Sequence, residues 1–252
     1  MKNFAKKRCF HFSACWIGQT RVPEKKIHEP NPLWKPGDPI ESPVQAMSAI
    51  DFTKLDSTPA YKLMTGAIVP RPIALVSTQD LNGVVNVAPF SFFTGVSSHP
   101  PCLLLSITRK PDGGKKDTLL NIEATRSFVV NTVSSWMAGP MNYCSAEFPY
   151  GVSELEKSGF TAVPSLKVAP PRIAQSPIHM ECELYALHEV GEGDLGSATL
   201  VVGRIVMMHV DERAYDPKRG RINVQALEPL ARLAGFSYGL SSGIFEIARP
   251  KI

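Results

Sequence analysis

Three stretches of this 252-residue chain carry side chains that could do chemistry. Lys110-Pro-Asp-Gly-Gly-Lys-Lys-Asp-Thr118 sets Lys115 and Lys116 beside a glycine pair. A short helical pattern follows, from Thr118 to Arg126, with Asp117 or Thr118 as its cap. A helix start offers free N–H groups and the positive end of the dipole. Lys116 could therefore meet a phosphate as a point charge, and Thr118 could donate its hydroxyl. The run is not a Walker A loop, because Lys116 stands where Ser or Thr is required. In Pro70-Arg71-Pro72 two prolines fix the backbone and hold Arg71 for bidentate pairing with phosphate or carboxylate. Asn86-Val-Ala-Pro-Phe-Ser-Phe-Phe93 sets the small or polar Asn86, Ala88 and Ser91 beside three phenylalanines, a mixture suited to a flat heteroaromatic ligand. Each stretch also has a plain reading: a solvated loop with an ordinary N-cap, a surface arginine in a stiff turn, and core phenylalanines at a strand end.

Other apparent motifs fall away. Gly191-Glu-Gly-Asp-Leu-Gly196 matches the dinucleotide fingerprint letter for letter, but a strand follows it where a helix must, and Glu192 and Asp194 would repel a pyrophosphate. Five cysteines (9, 15, 102, 144 and 182) include no C-x-x-C pair, which argues against a disulfide framework or a zinc site. His179 and Cys182 would face opposite sides of a strand.

The elements that must position these residues are mostly strands. Ile73–Thr78 and Val84–Ala88 read as a hairpin through Asn82-Gly83. Pro101–Ile107, Phe128–Val133, Ile178–Val190 and Ser197–Val210 complete six strands, the last two forming the largest hairpin. Ser135–Phe148 and Ser153–Gly159 look helical, and residues 161–177 read as loop. The pattern predicts a mainly β fold, one barrel domain with short helical insertions. The proline-rich run from Pro30 to Pro39 reads as an extended arm, so residues 1–49 are set apart from a domain at 50–252. Residues 1–23 are basic, free of Asp and Glu, and interleaved with aromatics, which hints at a mitochondrial presequence; the expected location is mitochondrial or cytoplasmic. No apolar run approaches the ~20 residues that span a bilayer. The charge is uneven. Residues 1–40 hold 8 Lys and Arg against 3 Asp and Glu, while the other 212 hold 19 against 20. A nearly neutral body argues against a nucleic-acid partner.

Taken in order, Pro-Arg-Pro-Ile-Ala-Leu-Val-Ser-Thr (70–78), Asn-Val-Ala-Pro-Phe-Ser-Phe-Phe (86–93), His-Pro-Pro (99–101), Lys-Asp-Thr (116–118) with Asn121, Glu181-Cys182, and Arg-Leu-Ala-Gly-Phe-Ser-Tyr (232–238) resemble one family. It is the flavin reductase-like, FMN-binding split-barrel family, in its flavoredoxin-type branch, and the resemblance covers roughly residues 50–240. It implies a six-stranded split barrel, a homodimer, and non-covalent FMN near the dimer interface. Carried over, Ser77 and Thr78 lie near the flavin. Asn86, Val87, Ala88, Ser91 and Phe92 line its ring and ribityl chain, and Arg71 with Lys116, Asp117 and Thr118 handles the phosphate. The activity implied is an NAD(P)H-dependent flavin reductase, with NADH or NADPH as electron donor and the hydride chemistry carried by the flavin, so no catalytic side chain is named and no metal is expected. Alternatives are an FMN electron carrier without nicotinamide activity and a barrel used only for binding.

Overall fold

The computed structural model describes residues 30–149, 151–241 and 243–250. These divide into two units: 30–41 with 243–250, and a larger one spanning Ser42–Ser242. The basic leader, residues 1–23, lies outside the described residues. In the smaller unit the Trp34 indole N–H donates to the Asp38 carbonyl (2.9 Å).

The larger unit is built on one antiparallel sheet. Its strands are β1 (Ala74–Gln79), β2 (Val85–Phe90), β3 (Phe93–Ser98), β4 (Pro101–Thr108), β5 (Ser127–Thr132), β6 (Ile178–Val190) and β7 (Ala198–Val210), in the order β2-β1-β5-β6-β7-β4-β3. The two edge strands, β2 and β3, follow each other directly in the chain, so the sheet curls round into a split barrel. It has seven strands where six were expected. The added one, β3, reads Phe-Thr-Gly-Val-Ser-Ser; it is exposed from Thr94 onward and pairs with β4 across a register shift at Gly95/Ser97. With no buried face it shows no alternation of apolar and polar residues, the pattern by which a half-buried strand is read.

The strands read as unbroken apolar runs because both faces of the sheet are covered. Along β1, Ala74 and Val76 enter the barrel core with Leu103, Leu105, Phe128 and Val201. Leu75, between them, enters a second core with Val87, Met137, Met141 and Leu230. Helix α2 (Asp117–Thr125) closes the barrel with Leu119 and Ile122. Helices α3 (Ala138–Tyr143) and α4 (Glu154–Ser158) fall in the stretches read as helical. Helix α1 (Ser57–Ala67) is not among the elements read from the sequence; Pro59 stands in its first turn, where the missing N–H costs nothing.

One close approach inside the barrel is required. A Cβ at Gly203 would fall within the edge of the Phe128 ring and 3.3 Å from Cys182 Cβ. Gly203→Ala is expected to lower stability by about 1–3 kcal/mol, read as the midpoint of thermal unfolding.

The loop over 161–177 carries two short strands, Ala162–Val163 and Arg172–Ile173, and polar side chains of the sheet fasten it down. Leu166 N–H and Lys167 N–H donate to the fully buried Glu181 carboxylate (2.9 and 2.6 Å), which also meets His209 Nε2 at 2.6 Å. Ile173 N–H donates to Asn131 Oδ1 (2.9 Å), and His179 Nε2 lies 2.8 Å from the Ile173 carbonyl. Burial holds the His179 imidazole below its ordinary value. For Glu181, burial acts upward, but the Leu166 N–H, His209 and the Lys167 N–H outweigh it and hold the carboxyl below the usual range. Both groups therefore bind fewer protons folded than unfolded, so stability falls as pH drops. The loss is expected to begin below about 6.5 with His179 and to deepen through the carboxylate range with Glu181. Thermal melts across pH 4–8 check this, and His179→Gln should remove the first phase only.

Candidate flavin site

The candidate residues fall into two groups, one at each end of β2. At its start, Asn86 faces the barrel interior. The amide orientation that satisfies its neighbours has its nitrogen donating to Glu154 Oε1 (3.2 Å) and its oxygen accepting from the Thr118 hydroxyl (2.9 Å). Thr78 accepts from Asn121 Nδ2 (3.1 Å) on the same inner side. Val87 N–H donates to Glu154 Oε2 (3.1 Å). Glu154, in the first turn of α4, thus ties β2 to that helix, and burial raises its carboxyl above the ordinary value. This role leaves no mark in the residue order, since a helix-starting glutamate looks the same whether it caps or reaches across.

The Lys110–Thr118 loop delivers three lysines to this end of the barrel. Lys110 Nζ pairs with Asp117 (2.6 Å) and Lys115 Nζ with Glu123 (2.6 Å). Lys116 makes no ion pair among the described residues; its Nζ stands 5.9 Å from the Phe90 ring centroid, and burial lowers its pKa. It is also the N-cap of α2, and no side chain caps that helix start. Lys116 thus heads a helix start whose first-turn N–H groups its own side chain does not cap, while its ammonium lies over Phe90, the last residue of β2, and the Asp117 charge is already met by Lys110. That donor set suits a phosphate.

At the far end of β2, Ala88, Ser91 and Phe92 are half-buried. The Phe92 ring meets Tyr61 of α1 edge-on at 6.2 Å. Arg71 lies here and not beside Lys116. It is 4% exposed. Its Nη1 donates to the Thr65 and Ile68 carbonyls (2.6 and 2.5 Å), its Nη2 to the Leu233 carbonyl (3.0 Å), and its Nε to the Ser91 hydroxyl (3.3 Å). The guanidinium clamps the end of α1, the turn after β2, and the hairpin of Leu230–Arg232 with Tyr238–Leu240. Burial lowers its pKa, with Tyr61 opposing and Arg232 adding to the effect.

Ser77 lies on the opposite face of the sheet from Thr78, as neighbours on a strand must. Its hydroxyl donates to the Pro171 carbonyl (2.5 Å) and accepts from Asn131 Nδ2 (3.1 Å), so it belongs to the fastening of the 161–177 loop. The structure thus brings together Thr78, Asn86, Val87, Lys116, Asp117 and Thr118, and separately Arg71, Ser91 and Phe92, with Ala88 between them.

The fold is a split barrel, and comparison with known proteins places the chain among them. The flavin reductase like domain matches residues 65–227, and the chain belongs to that family, and with it to the flavin-related oxidoreductases. It is 39% identical over 193 residues to an uncharacterized protein of Halalkalibacterium halodurans, covering 76% of this chain and 91% of that one. Nitrilotriacetate monooxygenase component B from Bacillus cereus superposes with a TM-score of 0.77 at 35% identity, covering 81% of this chain and all of that one. The Pseudomonas fluorescens 2-nitrobenzoate 2-nitroreductase superposes with a TM-score of 0.73 at 33% identity, covering 81% and 96%. The flavoredoxin of Desulfovibrio vulgaris shares the fold, with a TM-score of 0.58 at 20% identity. These relatives are bacterial and lend no support to the mitochondrial reading of the leader. No helix among the described residues is long and apolar enough to cross a membrane.

Proposed function

We propose that the protein binds FMN non-covalently and works as an NAD(P)H-dependent flavin reductase. The observation that carries this reading is Lys116: a residue that makes no ion pair among the described residues, at the N-cap of α2, where its side chain caps no N–H, with its ammonium over the Phe90 ring. Lys116 and the first N–H groups of α2 would hold the phosphate. Ala88, Ser91 and Phe92 would line the ring, where half-buried apolar surface and a hydroxyl meet. Thr78, Asn86, Val87, Asp117 and Thr118 are hydrogen-bonded or ion-paired to their neighbours and would fix the backbone at the phosphate end. Arg71 would act by positioning Ser91 and Phe92, and Ser77 from the outer face. When bound, FMN supplies the hydride-accepting chemistry. The chain's part is to hold the ring, shield one side of it and keep the phosphate in place.

A homodimer suits the exposed surface. Helix α1 buries only Thr65 and leaves Tyr61, Met64 and Ile68 open, and edge strand β3 exposes Val96. Large apolar residues grouped in this way mark association surfaces.

The test is oxidation of NADH and NADPH by the purified protein with and without added FMN. FMN-dependent oxidation supports the reductase. FMN binding without oxidation of either nicotinamide would turn the reading to an electron carrier.

A further inference from the structure

A cavity is lined in part by Pro70 and Pro72, the chain neighbours of Arg71. Its volume is about 300 Å³, the lower end of the range for small-molecule sites. Ile73, Phe93, Val133, Pro229, Leu230 and Ala231 give it apolar walls, and no charged side chain lines it among the described residues. Of its hydroxyls, Thr132 and Ser134 donate to the Ile178 and Leu227 carbonyls (3.4 and 2.5 Å), which leaves Ser241, exposed at the rim, as the hydroxyl with no such bond.

The walls are braced. Leu230 N–H donates to the Val133 carbonyl (3.0 Å), Ser135 N–H to the Glu228 carbonyl (2.9 Å), and the Ser135 hydroxyl to Glu228 Oε2 (2.6 Å). Pro72 and Ala231 are ladder partners across the top. Glu228, at φ 44°, is the left-handed cap that ends the short helix Val224–Leu227, and its N–H donates to the Gln225 carbonyl. A preformed apolar cavity with no charge in its walls is complementary to an uncharged ligand, because a charged one would lose its hydration without a partner.

We infer that this cavity is a binding site for an uncharged aromatic compound of one or two rings, separate from the flavin site. None of its lining residues is among those proposed to hold FMN, so the inference stands apart from that assignment. The probe is 2-naphthol, with 2-naphthalenesulfonate as its charged counterpart, each titrated calorimetrically into the full chain without flavin. Binding of 2-naphthol, with the sulfonate weaker by roughly tenfold or more, is expected. Ala231→Phe fills the cavity from a half-buried wall position and should weaken 2-naphthol by roughly tenfold or more while FMN affinity is kept. Ser241→Trp, at the exposed rim, blocks the mouth without touching the core and should act likewise if the first variant fails to fold. Absence of 2-naphthol binding to the unaltered protein, equal binding of the sulfonate, or full binding in a folded variant would overturn the inference. So would a change of oligomeric state in a variant that binds no less well, which would make the cavity a contact between copies.

Discussion

Lys116→Ala is expected to weaken FMN binding about 10- to 100-fold, the worth of one or two charge-assisted hydrogen bonds at ~1.5–3 kcal/mol. Riboflavin, which has no phosphate, should change by no more than about twofold, a few tenths of a kcal/mol. The contrast arises because, among the described residues, Lys110 and Lys115 are ion-paired with carboxylates and Lys116 is not. Lys115→Ala is the matched control. It removes the same charge from the same loop but only releases Glu123, and its effect on FMN should be small. Fluorescence titration of both flavins against the three proteins checks this. Equal weakening of FMN and riboflavin by Lys116→Ala would mean that the lysine supports the fold of the turn and does not meet a phosphate.

The second large effect belongs to Arg71. Arg71→Ala removes a buried side chain that satisfies three carbonyls and a hydroxyl from three segments. Leaving those acceptors without donors is expected to destabilise the protein by about 3–5 kcal/mol. Because the clamp holds Ser91 and the 233–237 turn, FMN and riboflavin should weaken together, in contrast to the Lys116 variant. Arg71→Lys can reach one or two of the carbonyls and should recover part of the stability without restoring the planar fork. Selective loss of FMN in a folded Arg71 variant would instead return this arginine to the phosphate.

The sequence displayed the barrel more fully than the site. The six strands read from apolar runs and turn residues all exist, with bounds moved by one or two residues, because buried strands carry their signal in composition. Strand β3 carried none: its face is open and its sequence is small and polar, so only its pairing with β4 reveals it. Helix α1 buries only Thr65, so it too lacked a buried apolar stripe to reveal it. At the site, the residue types drew attention to the right segments, yet spacing could not say which way each side chain points. Ser77 and Thr78 looked equivalent and lie on opposite faces of the sheet. Arg71 looked like an anion ligand, but its donors are taken by carbonyls as distant in the chain as Leu233. Glu154 and the anchor of Glu181 on Leu166 and Lys167 depend on contacts between segments that are far apart or oriented by a loop, and such contacts leave no local pattern.

The most direct measurement is the visible absorption spectrum of the protein with FMN, taken anaerobically before and after NADH and then NADPH. Flavin bands shifted from those of free FMN and retained through gel filtration, which bleach on addition of one of the two nicotinamides, are expected. Bands identical to free FMN that wash away completely, with no bleaching by either donor beyond that of FMN alone, would contradict the proposed function.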